Sequence, residues 1–350
     1  MKKIGSYLVK YGIPLLLGVG LFYFLYKNVD MEQMRRSLST DVNYWWFVPV
    51  IVVSVMSHVF RALRWRLQLR AIDVHPPLGV VVLSIFGTYA VNLIFPRLGE
   101  VWRCGYIADR QKASFTRVTG SMVADRLTDT VTVLALTLFT FLLASGAILR
   151  FLDTYPQVKA GVVAMVTSWK LWLAAVLCVA ALVWLFTSKT QNPVVMKVKT
   201  MVRNLWEGFA AITRMQGKWW FLLYTVAIWT CYFLQLYIAC KAFSFTSALS
   251  LVAVLVMFVL SSIGMGIPTN GGLGSWHIGI IFGLALYGVG SFSPSHFDPQ
   301  ASAFAMLVWG VQTLLLIVLG IFTFVMIARD RRRIRTGKTV VHTTGDTVEL

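Results

Sequence analysis

Two charged patterns interrupt an otherwise apolar region of the chain: Asn92-Leu-Ile-Phe-Pro96-Arg97-Leu-Gly99-Glu100-Val-Trp-Arg103 and, after a polar run, Asp125-Arg126-Leu-Thr-Asp129. Four of the chain's 14 acidic residues lie between positions 92 and 129, with strongly apolar sequence on both sides. Charges at membrane depth are costly, so they usually face one another or a cavity. The sequence therefore predicts that residues 92–129 form half of a polar path through a membrane protein.

The composition indicates an all-α integral membrane protein. The 350 residues are 57% hydrophobic and 13% charged, whereas a soluble domain carries about 25% charged residues. We predict one transmembrane domain over residues 1–330. The net charge of +18 could indicate nucleic acid, but basic residues of membrane proteins collect on the cytoplasmic side beside anionic lipid. We therefore expect membrane phospholipid, and no nucleic acid, as the partner.

Apolar stretches predict about eight transmembrane helices, each of which needs about 20 residues to cross the bilayer. The candidates are 13–26, 44–60, 78–95, 127–149, 170–187, 219–240, 249–267, 275–290 and 301–327.

The positive charges predict that residues 78–117 enter the membrane and turn back. With a cytoplasmic N-terminus, the basic loop 61–77 lies inside, and a complete crossing by 78–95 would place the basic residues of 97–117 outside. That arrangement opposes the positive-inside rule. A re-entrant segment removes the conflict, puts both termini in the cytoplasm and keeps most of the 32 Lys and Arg residues there. The alternative is an ordinary span followed by an unusually basic external loop.

Two further segments are distinct from the membrane core. Apolar residues recur at helical spacing in 192–217, between basic residues, which predicts an amphipathic helix on the cytoplasmic membrane surface. A plain connector helix packed on the bundle explains the same pattern. Residues 331–350 begin with a basic run and are then expected to form a disordered cytoplasmic tail.

Pro96 predicts a broken helix. Because proline has no N–H, the carbonyl of Asn92 loses its helical partner, and the Asn92 amide can help to satisfy freed backbone groups. Such breaks are tolerated in membranes where protein or a watery cavity covers them. Arg97, Glu100 and Arg103 follow at intervals of three and share one helical face. A guanidinium can hold phosphate in a bidentate fork. The alternative is an interfacial anchor, which we favour for Arg103.

Asp125 and Asp129 lie four residues apart, on one face of a helix, with Arg126 beside them. They could be acids favoured by the dipole at the start of span 127–149. They could equally pair with the arginines of 97–103 and close the path.

A glycine-rich loop lies in the second half of the chain, with the sequence Gly264-Met-Gly266-Ile-Pro268-Thr-Asn270-Gly271-Gly272-Leu-Gly274-Ser275-Trp-His277. Ser275 is a candidate cap, so the loop and the following helix start could face an anion. The alternative is a tight turn packed through glycine. His277 alone is more typical of a core histidine than of a proton carrier.

The chain thus has one Pro/Gly-interrupted apolar segment in each half, which is typical of transporters built from inverted repeats. The span count is then eight plus one re-entrant element, or six plus two. Four scattered cysteines without a CxxC pair and five histidines without metal spacing predict no metal, cofactor or disulfide framework.

The ordered set of Asn92, Pro96-Arg97, Gly99-Glu100 and Arg103, then Asp125-Arg126 and Asp129, then Pro268, Gly271-Gly272 and Gly274 resembles the flippase-like family. This family includes the transmembrane region of lysylphosphatidylglycerol synthases. The resemblance implies a polytopic bundle with re-entrant elements that moves amphipathic lipids between leaflets. It does not carry over synthase activity, because the chain stops about where that domain would begin. The family commonly has Glu-Arg at Asp125-Arg126, which is a mild change, and Glu where this chain has His277. The loss of the carboxylate at His277 weakens any transfer of cationic-headgroup recognition.

We therefore expect a lipid transporter of the inner membrane and not an enzyme. Arg97 and Arg103 would bind the lipid phosphate, Glu100 and Asp129 would orient them, and the breaks at Asn92/Pro96 and 264–277 would supply flexibility. The expected path residues are Asn92, Pro96, Arg97, Gly99, Glu100, Arg103, Asp125, Arg126, Asp129, Pro268, Gly271, Gly272, Gly274 and His277. The alternatives are an enzyme acting on a lipid-linked phosphate and a non-transporting accessory subunit. A separate lipid-modifying synthase and a second copy of the chain remain open as partners.

Overall fold

The computed structural model describes residues 13–27, 29–95, 97–187, 192–193, 195–196, 199, 215–267, 269–290 and 297–335. Pro96, Pro268, most of the predicted helix 192–217 and residues 336–350 lie outside this set. The helices are α1 Ile13–Tyr26, α2 Met31–Thr40, α3 Phe47–Arg70, α4 Leu78–Ile94, α5 Leu98–Gln111, α6 Phe115–Thr154, α7 Pro156–Val166, α8 Trp169–Thr187, α9 Lys218–Lys241, α10 Leu251–Gly264, α11 Ser275–Leu286 and α12 Pro299–Arg335.

The predicted all-α membrane class is confirmed. Four stretches of described helix are long and apolar enough to cross a bilayer, namely Tyr44–Arg70, Phe115–Thr154, Lys218–Lys241 and Pro299–Asp330. Their outer surfaces expose large apolar side chains; Leu134 and Leu142 of α6 and Leu314 of α12 are each more than 60% exposed. Such a surface suits lipid tails and not water, because exposed apolar patches of this size are unusual on soluble monomers.

Helices α3 and α9 lie antiparallel and define two faces of the bundle. At one end Asn43 N–H donates to the Ala242 carbonyl at 2.8 Å, and at the other Gly217 lies against Leu67. We call the end formed by residues 71–77 and 112–114 the basic face, and the end formed by 41–46 and 242–250 the opposite face.

Helices α4 and α5 form a hairpin that starts and ends at the basic face. They pack closely because each helix contributes a glycine at the contact: a Cβ on Gly99 would lie 2.0 Å from the Thr88 carbonyl oxygen, and one on Gly87 would lie 2.4 Å from the Trp102 ring. The 17 residues of α4 rise only about 25 Å, which is short for a crossing. The hairpin therefore matches the re-entrant element predicted for 78–117.

Helices α10 and α11 form a second hairpin, which starts and ends at the opposite face. Ser250 begins it by accepting a hydrogen bond from Ala253 N–H at 3.2 Å. A Cβ on Gly279 would lie 2.6 Å from the Ser261 Cα, and one on Gly283 would lie 2.7 Å from Met257. The alternative with two re-entrant hairpins therefore describes this arrangement better than the alternative with one.

The two hairpins meet tip to tip in the middle of the bundle. Asn270 Nδ2 donates to the carbonyls of Leu93 and Ile94 at 3.2 and 3.3 Å. Helix α12 passes both: Trp309 Nε1 donates to the Gly271 carbonyl at 2.8 Å, and further along, Gly320 lies against Ala90. Each hairpin also has its own apolar cluster, with α10 and α11 in one and α4 and α5 in the other.

Two predicted boundaries are wrong in a way that matters for the site. Helix α3 continues ten residues beyond the predicted end at 60, and α6 begins at Phe115, twelve residues before the predicted start at 127. In both cases the sequence prediction ended a membrane helix at its charged residues. Three of those charges, Arg61, Arg64 and Asp125, are buried inside the bundle instead of lying in loops.

Candidate functional site

A buried network of ion pairs joins α3 to α6. Arg61 and Arg64 lie about one turn apart on α3, and Asp125 and Asp129 lie one turn apart on α6, so each pair faces the other helix. Arg64 Nη2 lies 2.7 Å from Asp125 Oδ1 and 2.7 Å from Asp129 Oδ1, and both Arg64 and Asp125 are fully buried. Buried charges need this degree of pairing, because each unpaired ion costs several kcal/mol.

Arg61 extends the network towards α9. Its Nη1 donates to Asp129 Oδ2 at 2.9 Å, and its Nε and Nη2 donate to the Tyr232 hydroxyl at 3.2 and 3.0 Å. The Tyr89 and Tyr232 hydroxyls lie 3.5 Å apart, which carries the polar contacts on to α4. The network thus spans α3, α4, α6 and α9.

Arg103 occupies the inner side of the network and is completely buried. Its Nη2 lies 3.5 Å from Asp125 Oδ2, and its guanidinium carbon lies 4.3 Å from the centre of the Trp65 ring. This geometry suits a cation–π contact, which arginine makes with tryptophan more readily than lysine does. Arg103 therefore lies deep in protein, not in the headgroup region that the anchor alternative requires.

Glu100 and Arg126 complete the network at its accessible edge. Arg126 Nε lies 2.7 Å from Glu100 Oε1, and its Nη1 lies 3.5 Å from Asp129 Oδ2. The Arg126 side chain is 34% exposed, whereas those of Arg61 and Arg64 are 5% and 0% exposed. The network holds four guanidinium groups and three carboxylates, so its net charge is +1. Arg126 is the arginine of this network most open to an anion.

A cavity of about 430 Å³ lies between the network and the hairpin tips. Such a volume falls within the usual range for small-molecule sites, about 300–1,000 Å³. Arg61, Arg126 and Asp129 line one end of it, and Gly266 and Gly271 line the other. Its walls are largely aromatic and aliphatic, with Trp229, Trp276, Trp309, Phe258 and Leu316 among them.

Asn92 and Gly99 shape the tip of the first hairpin. Asn92 Oδ1 accepts a hydrogen bond from Gly99 N–H at 2.8 Å, so the amide satisfies a backbone donor beside the break, as expected from the sequence. Arg97 has a φ of 62°, a left-handed conformation that is uncommon for a residue with a side chain. Its Nη2 donates to the Gly266 carbonyl at 3.2 Å. Arg97 is exposed at the tip, next to the glycine loop.

The glycine loop forms the tip of the second hairpin, and several of its residues need to be glycine. Gly271, Gly272 and Gly274 have φ values of 58°, 77° and 78°. A Cβ on Gly272 would lie 2.2 Å from Met265 Sδ, and one on Gly274 would lie 2.5 Å from the Cβ of Leu21. The loop is therefore a close-packed turn against α1. This agrees with the alternative interpretation, a tight turn packed through glycine.

The predicted cap at Ser275 is wrong. Gly274 occupies the N-cap position of α11 without a side-chain hydrogen bond. Ser275 is instead the first helical residue, and its Oγ lies 3.0 Å from Thr269 Oγ1. This pairing occupies the hydroxyl that the anion-site interpretation assigned to capping.

His277 lies in a cage of aromatic rings and is fully buried. Its ring centre is 5.8 Å from Phe22, 5.9 Å from Tyr26 and 5.4 Å from Trp309. It does not line the central cavity. This position fits the interpretation of His277 as a core residue that packs α11 against α1.

The structure thus divides the predicted path residues into groups. Arg126, Asp129 and Gly271 line the cavity. Glu100, Arg103 and Asp125 belong to the network behind it, while Asn92, Arg97 and Gly99 shape one hairpin tip and Gly272 and Gly274 the other. His277 lies apart from these groups. Pro96 and Pro268 lie outside the described residues. Asp125 and Asp129 are ten and fourteen residues into α6, so they are not the dipole-favoured acids of a helix start.

Sequence reasoning missed Arg61 and Arg64, which it treated as loop charges that set the topology. A signal was present, because the polar residues of 54–68 recur at helical spacing: Ser54, Ser57, His58, Arg61, Arg64 and Gln68. Such a stripe predicts a helix that continues past residue 60 with one polar face. All six residues are buried.

Comparison with known proteins gives the family. No curated protein and no solved structure matches the chain significantly. A family model described as lysylphosphatidylglycerol synthase TM region matches residues 12–320, which include both hairpins, the ion-pair network and the cavity. The chain therefore belongs to the family of the lysylphosphatidylglycerol synthase transmembrane region, multi-pass membrane proteins linked to lipid metabolism or transport.

Proposed function

We propose that the protein is a lipid transporter that moves a phospholipid, or another lipid-linked phosphate, between the leaflets of the cell inner membrane. The observation that carries the proposal is the central cavity, which has a net positive network at one end and the tips of two opposed hairpins at the other. A lipid headgroup that crosses the bilayer needs a polar site at mid-depth. Opposed broken helices are the usual way in which transporters build such a site.

In this proposal Arg126 contacts the lipid phosphate, with Arg61 behind it. Glu100 and Asp129 hold the Arg126 guanidinium in place, at 2.7 and 3.5 Å, so little side-chain freedom remains to be lost on binding. Arg97 acts at the hairpin tip instead of at the phosphate. The contacts of Arg97 with Gly266 and of Asn270 with Leu93 close the path between the tips, and transport requires them to open.

The enzyme alternative needs a free acid pair or a nucleophile beside a base. Asp125 and Asp129 are the acid pair that the sequence offered for this role. Asp125 contacts Arg64 and Arg103, and Asp129 contacts Arg61, Arg64 and Arg126. Carboxylates held in this way are poorly suited to bind a metal or to transfer a proton.

The accessory-subunit alternative predicts full activity in cells that carry the Arg97→Ala/Glu100→Ala double variant.

A vesicle assay with the purified full-length chain tests the proposal. Fluorescent phosphatidylglycerol is placed in both leaflets, and its movement is followed by quenching from outside. We expect movement with the native chain and a rate reduced about tenfold to a hundredfold by Arg126→Gln. This estimate follows because a hydrogen bond to a charged group contributes about 1.5–3 kcal/mol and 1.4 kcal/mol corresponds to tenfold.

Arg150→Gln is the matched control, since it removes the same charge from the same helix. Arg150 is exposed, and its Nε donates only to the Gly146 carbonyl one turn away. It is not among the residues that line the cavity. Equal rates for Arg126→Gln, Arg150→Gln and the native chain would contradict the assigned phosphate site, and no movement by the native chain would contradict transport.

A further inference from the structure

A second cavity lies on the outer surface of the bundle, between α5 and the last turns of α12. It is a groove of about 610 Å³, which we call the outer groove. One wall is formed by Trp102, Gly105, Tyr106 and Asp109 of α5, and the other includes Phe324 and Ala328 of α12. These residues do not line the central cavity, so the outer groove is separate from the proposed transport path.

Aromatic rings give the outer groove fixed walls. The Trp102 and Tyr106 rings stack with their centres 5.5 Å apart, and the Phe324 ring meets Trp102 edge-on with the centres 5.7 Å apart. The Trp102 ring is held from behind, because it packs against Gly87 of α4. Gly105 forms an open floor, since a Cβ on it would meet no atom within 4 Å. The outer groove is therefore an apolar slot that already exists without an occupant.

The outer groove lies in the half of the bilayer next to the basic face. Gly105 is six residues from the end of α5 at Gln111, which is about 9 Å along the helix. Near that end Arg110 forms an ion pair with Asp330 of α12, so both helices reach the same face. Phe324 is 44% exposed, and the outer groove therefore opens sideways, towards lipid.

The size of the outer groove fits a lipid chain better than a protein partner. It extends along only about two turns of α5, whereas a stable protein interface buries about 800 Å² on each partner. An acyl chain is narrow enough to enter, and acyl chains surround the bundle at this depth. Because lipid tails are as apolar as the groove, binding gains from close packing against the fixed rings and not from the hydrophobic effect.

Asp109 adds a charge at the end of the outer groove nearest the basic face. It is the charged residue among the described residues that line the groove. Its side chain is 75% exposed, and Lys112 Nζ lies 3.9 Å from its Oδ1, which is long for an ion pair. A carboxylate in this position attracts a headgroup ammonium and repels a second anion. Lys112 beside it suits the phosphate of the same headgroup.

We propose that the outer groove binds a phospholipid of the leaflet next to the basic face, with one acyl chain against Gly105 and an ammonium-bearing headgroup at Asp109. This lipid is distinct from a transported one, since it lies outside the central cavity, and the inference does not depend on transport. The bound chain fills the gap between α5 and α12 and so supports the first hairpin from outside.

Photolabelling of the full-length chain in phosphatidylglycerol vesicles tests this site. The probe is a trace of phosphatidylethanolamine with a diazirine halfway along one acyl chain, and mass spectrometry of the digested protein locates the label. We expect more label in 102–109 and 324–328 than in 134–142 of α6, where Leu134 and Leu142 also face lipid. A phosphatidylglycerol probe with the same tail should label the outer groove about threefold less, a small factor because exposed charge contacts contribute little.

Variants separate recognition of the chain from recognition of the headgroup. Gly105→Leu should reduce labelling of the outer groove to the level of 134–142, because leucine fills the open floor without displacing a neighbour. Ala328→Leu, which fills the groove from α12, makes the same test if Gly105→Leu does not fold. Asp109→Asn should keep the labelling and remove the difference between the two probes.

Gly120→Leu is the matched control. Gly120 is exposed on α6, five residues from the start of that helix at the basic face, and a Cβ on it would also meet no atom within 4 Å. The substitution therefore adds the same side chain at a similar depth but away from the outer groove. Its labelling pattern should equal that of the native chain.

Several results would overturn the inference. They are labelling of the outer groove no stronger than that of 134–142, labelling that neither Gly105→Leu nor Ala328→Leu reduces, and equal labelling by the two probes. If labelling of the outer groove rises when the protein is diluted in the membrane, a second copy of the chain occupies the groove instead of lipid. None of these results bears on transport, which the movement of fluorescent lipid measures separately.

Discussion

At the scale of single residues, the most informative feature is the pairing of four arginines with three acids, five of which are buried. An exposed ion pair contributes at most about 1 kcal/mol, and a buried pair contributes little net stability because desolvation offsets the attraction. Removing one member of a buried pair is nevertheless costly, because the other charge is left buried and unpaired. The network around Asp125 and Asp129 therefore fixes how α3, α5 and α6 pack.

Asp125→Asn is expected to lower the free energy of unfolding by about 3–5 kcal/mol, because it removes the carboxylate that pairs with the buried Arg103 and one of the two that pair with Arg64. Unfolding of the purified chain by increasing fractions of sodium dodecyl sulfate measures this. Asp153→Asn is the control on the same helix: Asp153 is exposed and pairs with Lys159 at 2.7 Å, so its loss should cost less than about 1 kcal/mol. Similar costs for the two variants would show that the buried network does not stabilise the bundle.

At the scale of secondary-structure elements, the hairpins depend on close helix contact. Glycine lets two helix backbones approach where a side chain would force them apart. Gly87 and Gly99 do this in the first hairpin, and Gly279 and Gly283 do it in the second. The sequence drew attention to Gly99 beside Pro96 but gave no indication that it faces Thr88. Which residue packs against a glycine depends on the tertiary structure.

Gly99→Ala should separate α4 from α5 and lower stability by about 1–3 kcal/mol, as overpacking commonly does. The new Cβ would lie 2.0 Å from the Thr88 carbonyl oxygen. Gly105→Ala on the same helix meets no atom within 4 Å, and alanine is the better helix former by up to about 1 kcal/mol, so it should leave stability unchanged or raise it. Thermal unfolding followed by tryptophan fluorescence compares them. A stable Gly99→Ala chain would contradict the described contact.

At the scale of the whole molecule, two hairpins insert from opposite faces and meet near the middle. Their directions follow from the antiparallel contact of α3 with α9: α4 begins at the end where α3 stops, and α10 begins at the end where α9 stops. Helix α12 then crosses both faces and contacts each hairpin in turn. This opposition matches the inverted repeat that the two interrupted segments predicted.

Cysteine accessibility in sealed cells tests this topology. The predicted cytoplasmic basic face should protect His75→Cys and Lys112→Cys from a maleimide that cannot cross the membrane, whereas Ala248→Cys at the opposite face should react. All three positions are exposed in the structure, so a lack of reaction reports the membrane and not burial. The unmodified chain gives the background from its own cysteines. External labelling of Lys112→Cys with protection of His75→Cys would refute the first hairpin.

The sequence by itself determined the membrane class, the two interrupted segments and most helix positions, since hydropathy and Pro/Gly punctuation are local properties. The partners of the charged residues were not local. Arg61 and Arg64 appeared to be loop charges because a hydropathy pattern scores each residue alone.

Only the tertiary structure decided that these two arginines meet Asp125 and Asp129, and that Arg126 is the one left accessible. The physical reason is that the cost of burying a charge depends on what lies opposite it. The paired residues lie 61 to 68 positions apart along the chain. Their pairing makes burial tolerable for charges that would each be unfavourable alone.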